Sequence, residues 1–160
     1  MSVTAGKSSD KKPNLPAQRR KARHYAMQAL YSWQMAQQQI NEIEASFRAD
    51  YDFAHTDVAH FSELLHEIPA QLTELHELFE SFLDRPVNEL DPIELTLLRM
   101  GTYELSQRVD VPYKVVINEM VSLAKRFGAT DSYRYINGVL EKVAQASRQV
   151  EIAAERQTAG

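Results

Sequence analysis

At 160 residues, with no cysteine, 44% hydrophobic and 25% charged positions, the chain reads as one globular domain without disulfides, thiolate metal sites or cysteine nucleophiles. No run approaches the roughly 18 consecutive apolar residues of a membrane span, and the polar, basic start lacks the apolar stretch of a secretory signal, so the expected address is the cytoplasm. The net charge of −4 is unevenly spread: residues 1–25 hold seven Lys and Arg against one acid, whereas residues 26–94 hold two against 14. Such segregation offers an arm to a polyanion and a body that repels it.

In chain order, residues 1–15 mix Ser, Lys, Gly and Pro with little to bury and read as a disordered basic N-terminal extension. Pro16 suits the first turn of a helix, where its missing N–H would be unpaired anyway. At roughly 100° per residue, Ala22, Ala26, Ala29, Trp33 and Ala36 then share one face, flanked by Tyr25 and Leu30, which predicts a core-facing helix over 16–36. A short helix over 40–48 and a loop near 51–56 follow. From Asp57 to Leu83 the stripe Phe61, Leu64, Ile68, Leu72, Leu75 and Phe79 keeps its phase through Pro69, so this is one kinked helix or two helices meeting there.

Asp91, Pro92 and Glu94 form a helix start, with an N-cap, a first-turn proline and a capping-box-like acid. The helix to about Gln107 is apolar round most of its circumference, which predicts the central, most buried element. Pro112 opens the next, with Val116, Met120, Leu123 and Phe127 on its face and Gly128 as C-cap. Asp131 or Ser132 caps the last helix, which turns Tyr133, Ile136, Leu140 and Val143 inward. No segment shows strand-like alternation. The expectation is an all-α fold of about seven helices in two small bundles, forming one domain over 16–148 with sub-bundles about 16–85 and 86–148. A frayed tail over 149–160 ends the chain.

The basic start carries the clearest chemistry. Arg19, Arg20, Lys21 and Arg23 open the first helix, and Arg20, Arg23, Met27 and Tyr31 line one stripe beside its buried face. Arginines beside an aromatic clamp phosphates and stack an unpaired base, the pattern of single-strand recognition. The plainer reading is a solvated basic patch. On the last helix Tyr135 lies about 120° from the apolar centre, next to Arg134 in a first turn whose free N–H groups favour an anion. It is either a stacking platform or a ring packed on a neighbouring helix. Enzyme constellations are lacking: the five His include no HExxH pair, Glu63–His66 is a lone ExxH, and no Ser stands in a GxSxG context. No catalytic residue, metal site or cofactor is expected. The acids of 57–94 read as solvated helix faces, suited to a basic protein partner.

RRKARHYAMQALYSWQM at Arg19–Met35, LRMGTYEL at Leu98–Leu105 and DVPYKVVINEMVSLAKRFGATDSYRYINGVLEKVA at Asp110–Ala144 together resemble the bacterial transcription antitermination factor NusB family, over about residues 17–146. The resemblance implies a non-enzymatic, all-helical RNA-binding factor. It would bind the boxA sequence of ribosomal RNA leader transcripts together with NusE, a ribosomal small-subunit protein, within the RNA polymerase antitermination complex. It places RNA contacts on Arg19, Arg20, Lys21 and Arg23, and carries the FGAxDSxxxxNG block onto Phe127, Gly128, Asp131, Ser132, Asn137 and Gly138, with Tyr135 at an aromatic position expected to meet RNA. Asp131 and Ser132 are then capping or modulating residues, and Glu94 belongs to the partner surface. The competing expectation is a helical protein–protein adaptor, or a homodimer, in which the basic arm is incidental.

Overall fold

Asn14 starts the first helix: its side-chain oxygen accepts the N–H of Ala17 at 3.1 Å, and Pro16 occupies the first turn. The structure, a computed structural model, describes residues 14–159; the extension expected over 1–15 lies, as far as Pro13, outside the described residues. Helix α1 runs Leu15–Ala36 and α2 Ile40–Asp50. Helix α3, Val58–Ala70, is capped by Asp57, whose carboxylate accepts the N–H of His60 at 3.0 Å. Pro69 falls in its last turn, and the chain restarts after Gln71 as α4, Leu72–Phe79, so the apolar stripe belongs to two helices. Two short 3₁₀ turns, Glu80–Phe82 and Val87–Glu89, lead to α5, Pro92–Gln107. Helices α6, Tyr113–Phe127, α7, Ser132–Ser147, and α8, Gln149–Ala159, complete an all-α fold with no strand among the described residues.

Helix α5 is buried nearly all round, from Glu94 to Leu105, and packs against α1, α3, α4, α6 and α7. Gly101 permits that crowding, because a Cβ there would lie 2.6 Å from a Leu140 methyl and 3.2 Å from Met120 Cγ. The core is one continuous cluster that includes Ala22, Ala26 and Leu30 of α1, Phe61, Leu64 and Leu65 of α3, and Met120, Ile136 and Leu140 of the last helices. Each fully buried Leu, Ile or Phe in it contributes roughly 1.5–3 kcal/mol of transfer free energy. Trp33 is half-buried, as its place on the α1 face requires, whereas Ala36 is exposed.

Three local expectations are corrected. Residues 149–159 form a helix rather than a frayed end, because its acids are tethered: Glu151 accepts the Tyr113 N–H at 3.0 Å and Arg148 Nη1 at 2.6 Å, and Ile152 packs on the core. The Glu94 carboxylate does not fold back to cap α5; it accepts the Ser132 hydroxyl at 2.8 Å and ties α5 to α7. Asp131 holds the N-cap position of α7 without any side-chain capping bond.

Candidate nucleic-acid interface

The four basic residues that open α1 have different fates, because a helix turns 100° per residue and α1 is packed along more of its circumference than the alanine face alone suggests. Arg23 and Met27, expected on a solvent-facing stripe, are inside. The Arg23 guanidinium, 2% exposed, donates from Nε and Nη2 to both carboxylate oxygens of Glu104, each at 2.8 Å. Glu104 also accepts Nε2–H of His60 at 3.2 Å; that tautomer follows because Arg108 Nη1 donates to His60 Nδ1 at 2.9 Å. Burial by itself raises a carboxyl, but these hydrogen bonds and the Arg23 charge outweigh it and pull Glu104 down to about 2. Arg23 therefore locks α1 to α5 and is not free to meet a phosphate.

Arg19 is half-buried and turned to acids, with Nη2 donating to Asp110 at 3.1 Å and Nε 3.6 Å from Asp57. Arg20 is exposed and reaches Glu119 at 3.2 Å, beside a groove of about 540 Å³ between the starts of α1 and α6. Lys21 is exposed and meets no carboxylate among the described residues. Tyr31 is half-buried.

One turn beyond Arg20, α1 meets the corner between α6 and α7. The His24 ring lies 5.4 Å from that of Phe127, and the Arg126 guanidinium sits over the same Phe127 ring at 5.4 Å. Burial, then the charges of Arg126 and Lys21, lower the His24 pKa, so positive potential converges there. At the other side of the corner Tyr133 lies between two cations, Lys125 Nζ at 4.8 Å and the Arg134 guanidinium at 5.6 Å, and its hydroxyl accepts Arg134 Nε–H at 3.1 Å. Lys125 and Arg126 are exposed and pair with no acid among the described residues; Asp131 is 3.9 Å from Arg134. Gly128 makes the corner tight: a Cβ there would meet the Ala124 carbonyl oxygen at 2.8 Å and Ser132 Cβ at 3.1 Å.

Tyr133, expected to turn inward, is only half-buried, and so is Tyr135. Tyr135 packs on the turn after α4: Arg85 covers its ring at 4.7 Å, and its hydroxyl accepts the Asp84 N–H at 3.4 Å. Of the two alternatives for this ring, packing on a neighbour is the one observed. Ser132 is buried against Glu94, and Glu94 itself, 8% exposed, faces inward. Lys125, Arg126 and Tyr133 join this candidate surface although the sequence pattern alone does not single them out. The basic pair before Gly128 was visible, but such a pair also suits any helix C-terminus, and only packing shows that it flanks two rings. Arg20, Lys21, Arg126, Lys125 and Arg134 together can neutralise phosphates, and the rings between them can stack bases.

The sequence profile of the NusB family matches residues 20–145. The chain is 51% identical over 145 residues to the transcription antitermination protein NusB of Pseudomonas entomophila, covering 91% of this chain and 87% of that protein. To the protein of the same name from Marinomonas sp. it is 52% identical over 155 residues, 96% of this chain and 89% of the relative. For that of Idiomarina loihiensis the identity is 53% over 133 residues, 83% and 96% of the two chains. Among solved structures, T. maritima NusB superimposes with a TM-score of 0.67 at 25% identity, covering 79% of this chain and 89% of that one.

Proposed function

Because this chain belongs to the NusB family of transcription antitermination factors, which are not enzymes, we propose that it works by binding the single-stranded boxA RNA of ribosomal leader transcripts. The observation that carries the proposal is the α1–α6–α7 corner, where Phe127 and Tyr133 each lie against cations. Unpaired bases stack on such rings while Lys21, Arg126, Lys125 and Arg134 take the phosphates, and Arg20 extends the track along α1. Arg19 and Arg23 serve this surface from behind, by fixing α1 to its neighbours. Tyr135 joins the contact only if RNA displaces Arg85, which now covers its ring, and Tyr31 contributes the part of its half-buried ring that stays exposed.

The partner is NusE, met on the side of α5 and α7, where Glu94 acts by holding those helices together rather than by direct touch. The pair then joins the RNA polymerase antitermination complex in the cytoplasm. No described helix is long and apolar enough to cross a membrane.

The test is titration of a fluorescent boxA oligonucleotide and a scrambled control, with and without NusE. Weak, sequence-selective binding that strengthens with the partner is the expected result, since two ligands coupled through one scaffold help each other reciprocally. Affinity should fall with salt at a log–log slope of about −0.7 per phosphate neutralised. Equal affinity for both oligonucleotides would remove boxA recognition. No RNA binding under any condition, with NusE still bound, would leave the adaptor or homodimer reading.

A further inference from the structure

Arg99 is the buried cation of this fold that no carboxylate matches among the described residues. It lies on α5, 9% exposed, with its guanidinium 5.9 Å from the centre of the Trp33 ring. Nε donates to His76 Nε2 at 3.1 Å and Nη1 to Gln34 Oε1 at 3.1 Å. Both acceptors are neutral, because a ring nitrogen that receives an N–H carries no proton and Gln34 is an amide. The remaining nitrogen, Nη2, donates to nothing among the described residues. Burial lowers the pKa of Arg99, and no acid offsets it. The other buried arginines are matched: Arg23 has Glu104 and Arg148 has Glu151.

Beside this guanidinium lies a cavity of about 340 Å³ lined by Trp33, Gln34, Gln37 and Arg99. Gln37 ends α1 at its rim in left-handed backbone, φ 55°, with its N–H on the Trp33 carbonyl at 2.8 Å. Gln34 is held from every side: Thr96 and Arg99 donate to its oxygen, and its amide nitrogen donates to the Pro92 carbonyl. The walls are thus preset, and the charge inside them lacks its counter-ion.

We propose that this cavity is a carboxylate-binding pocket for a protein partner, in which an acidic side chain enters beside Trp33 and closes on the unused N–H groups of Arg99. A carboxylate matches a guanidinium in geometry and charge, and burying the pair satisfies a cation that the fold leaves unmatched. Trp and Arg are also the residue types that dominate binding energy at protein interfaces. A protein fits better than RNA because residues 26–94, which supply most of the wall, hold 14 acids against two basic residues: one carboxylate on an otherwise basic partner brings a single negative charge into that field, whereas a polyphosphate brings one with every nucleotide and is repelled far more. The site stands apart from the α1–α6–α7 corner and does not depend on the RNA reading.

Trp33 is the only tryptophan in the chain, so its fluorescence reports on the pocket directly. The full-length protein would be titrated with N-acetyl-glutamate N-methylamide, its glutamine counterpart, and inorganic phosphate, with the thermal midpoint recorded in parallel. The glutamate probe should change Trp33 emission saturably and raise the midpoint, and the glutamine probe should do neither. Arg99→Gln should weaken the glutamate response about tenfold or more. Gln37→Glu alters only an exposed rim residue and sets a competing carboxylate at the mouth, so it should weaken the response similarly even if Arg99→Gln fails to fold. Equal responses to the two peptide-like probes, or an unchanged response in Gln37→Glu, would overturn the proposal. A response to phosphate as strong as to glutamate would overturn the protein-partner assignment in favour of a nucleic-acid phosphate.

Discussion

Arg20 and Arg23 stand three residues apart on one helix, yet one belongs to the interior and the other to the surface. Arg23 is sealed in a bidentate pair with Glu104 and backed by His60, while two-thirds of the Arg20 side chain faces solvent beside Glu119. The charges of the Arg23–Glu104–His60 cluster are saturated, each with a fixed partner, and they hold α1, α3 and α5 in register. The charges of the α6–α7 corner rest on aromatic rings, and two of them, Lys125 and Arg126, meet no acid among the described residues. Positive charge near a chain start therefore does two jobs here, and burial separates them.

Breaking the interior cluster should have the largest effect. Glu104→Ala leaves Arg23 and His60 buried without their acceptor, and the expected loss is about 3–5 kcal/mol in urea denaturation. The wild-type cluster also predicts an acid limit. The Glu104 carboxyl has its pKa lowered from 4.5 to about 2 by folding, so its contribution is complete above about pH 4.5 and is lost as pH falls toward 2. Thermal midpoints measured between pH 6 and 2 should decline over that window, and Glu104→Gln should flatten the decline. A midpoint insensitive to pH there would mean that the pair contributes nothing net.

At the corner, Tyr133→Ala should weaken boxA binding by about 1–3 kcal/mol, the usual cost of removing a stacked ring, measured by fluorescence anisotropy. Tyr135→Ala should weaken it less, because Arg85 already covers that ring. The reverse order would move the stacking site from Tyr133 to Tyr135. Arg20→Ala should leave the unfolding curve nearly unchanged, since exposed ion pairs contribute little, and should reduce the salt slope of RNA binding by about 0.7. Arg23→Ala should do the opposite, lowering stability while leaving the slope alone. The smallest effect is expected of Asp131→Asn: the carboxylate sits 3.9 Å from Arg134 and makes no capping bond, so removing its charge should tighten RNA modestly at unchanged stability. Weaker binding would give that acid a positive role.

Much of the fold can be read from local pattern. The phase of Phe61 to Phe79, the cap at Asp91, the break at Pro69 and the apolar circumference of α5 all depend on spacing within one segment, which the chain itself records. The unevenness of charge between the first 25 residues and the next 69 is likewise a property of the sequence, and it already points to a polyanion. Which charge is used for what depends on neighbours 50 to 99 positions away. Arg23 meets Glu104, Arg20 meets Glu119, Tyr135 meets Arg85, and Arg99 meets no acid at all. Helical periodicity gives the direction of a side chain from its own axis, but not what another helix places opposite it. The tertiary structure alone decided which arginines became internal struts, which ring an arginine of another segment covers, and that 149–159 would be a tethered helix instead of a loose end.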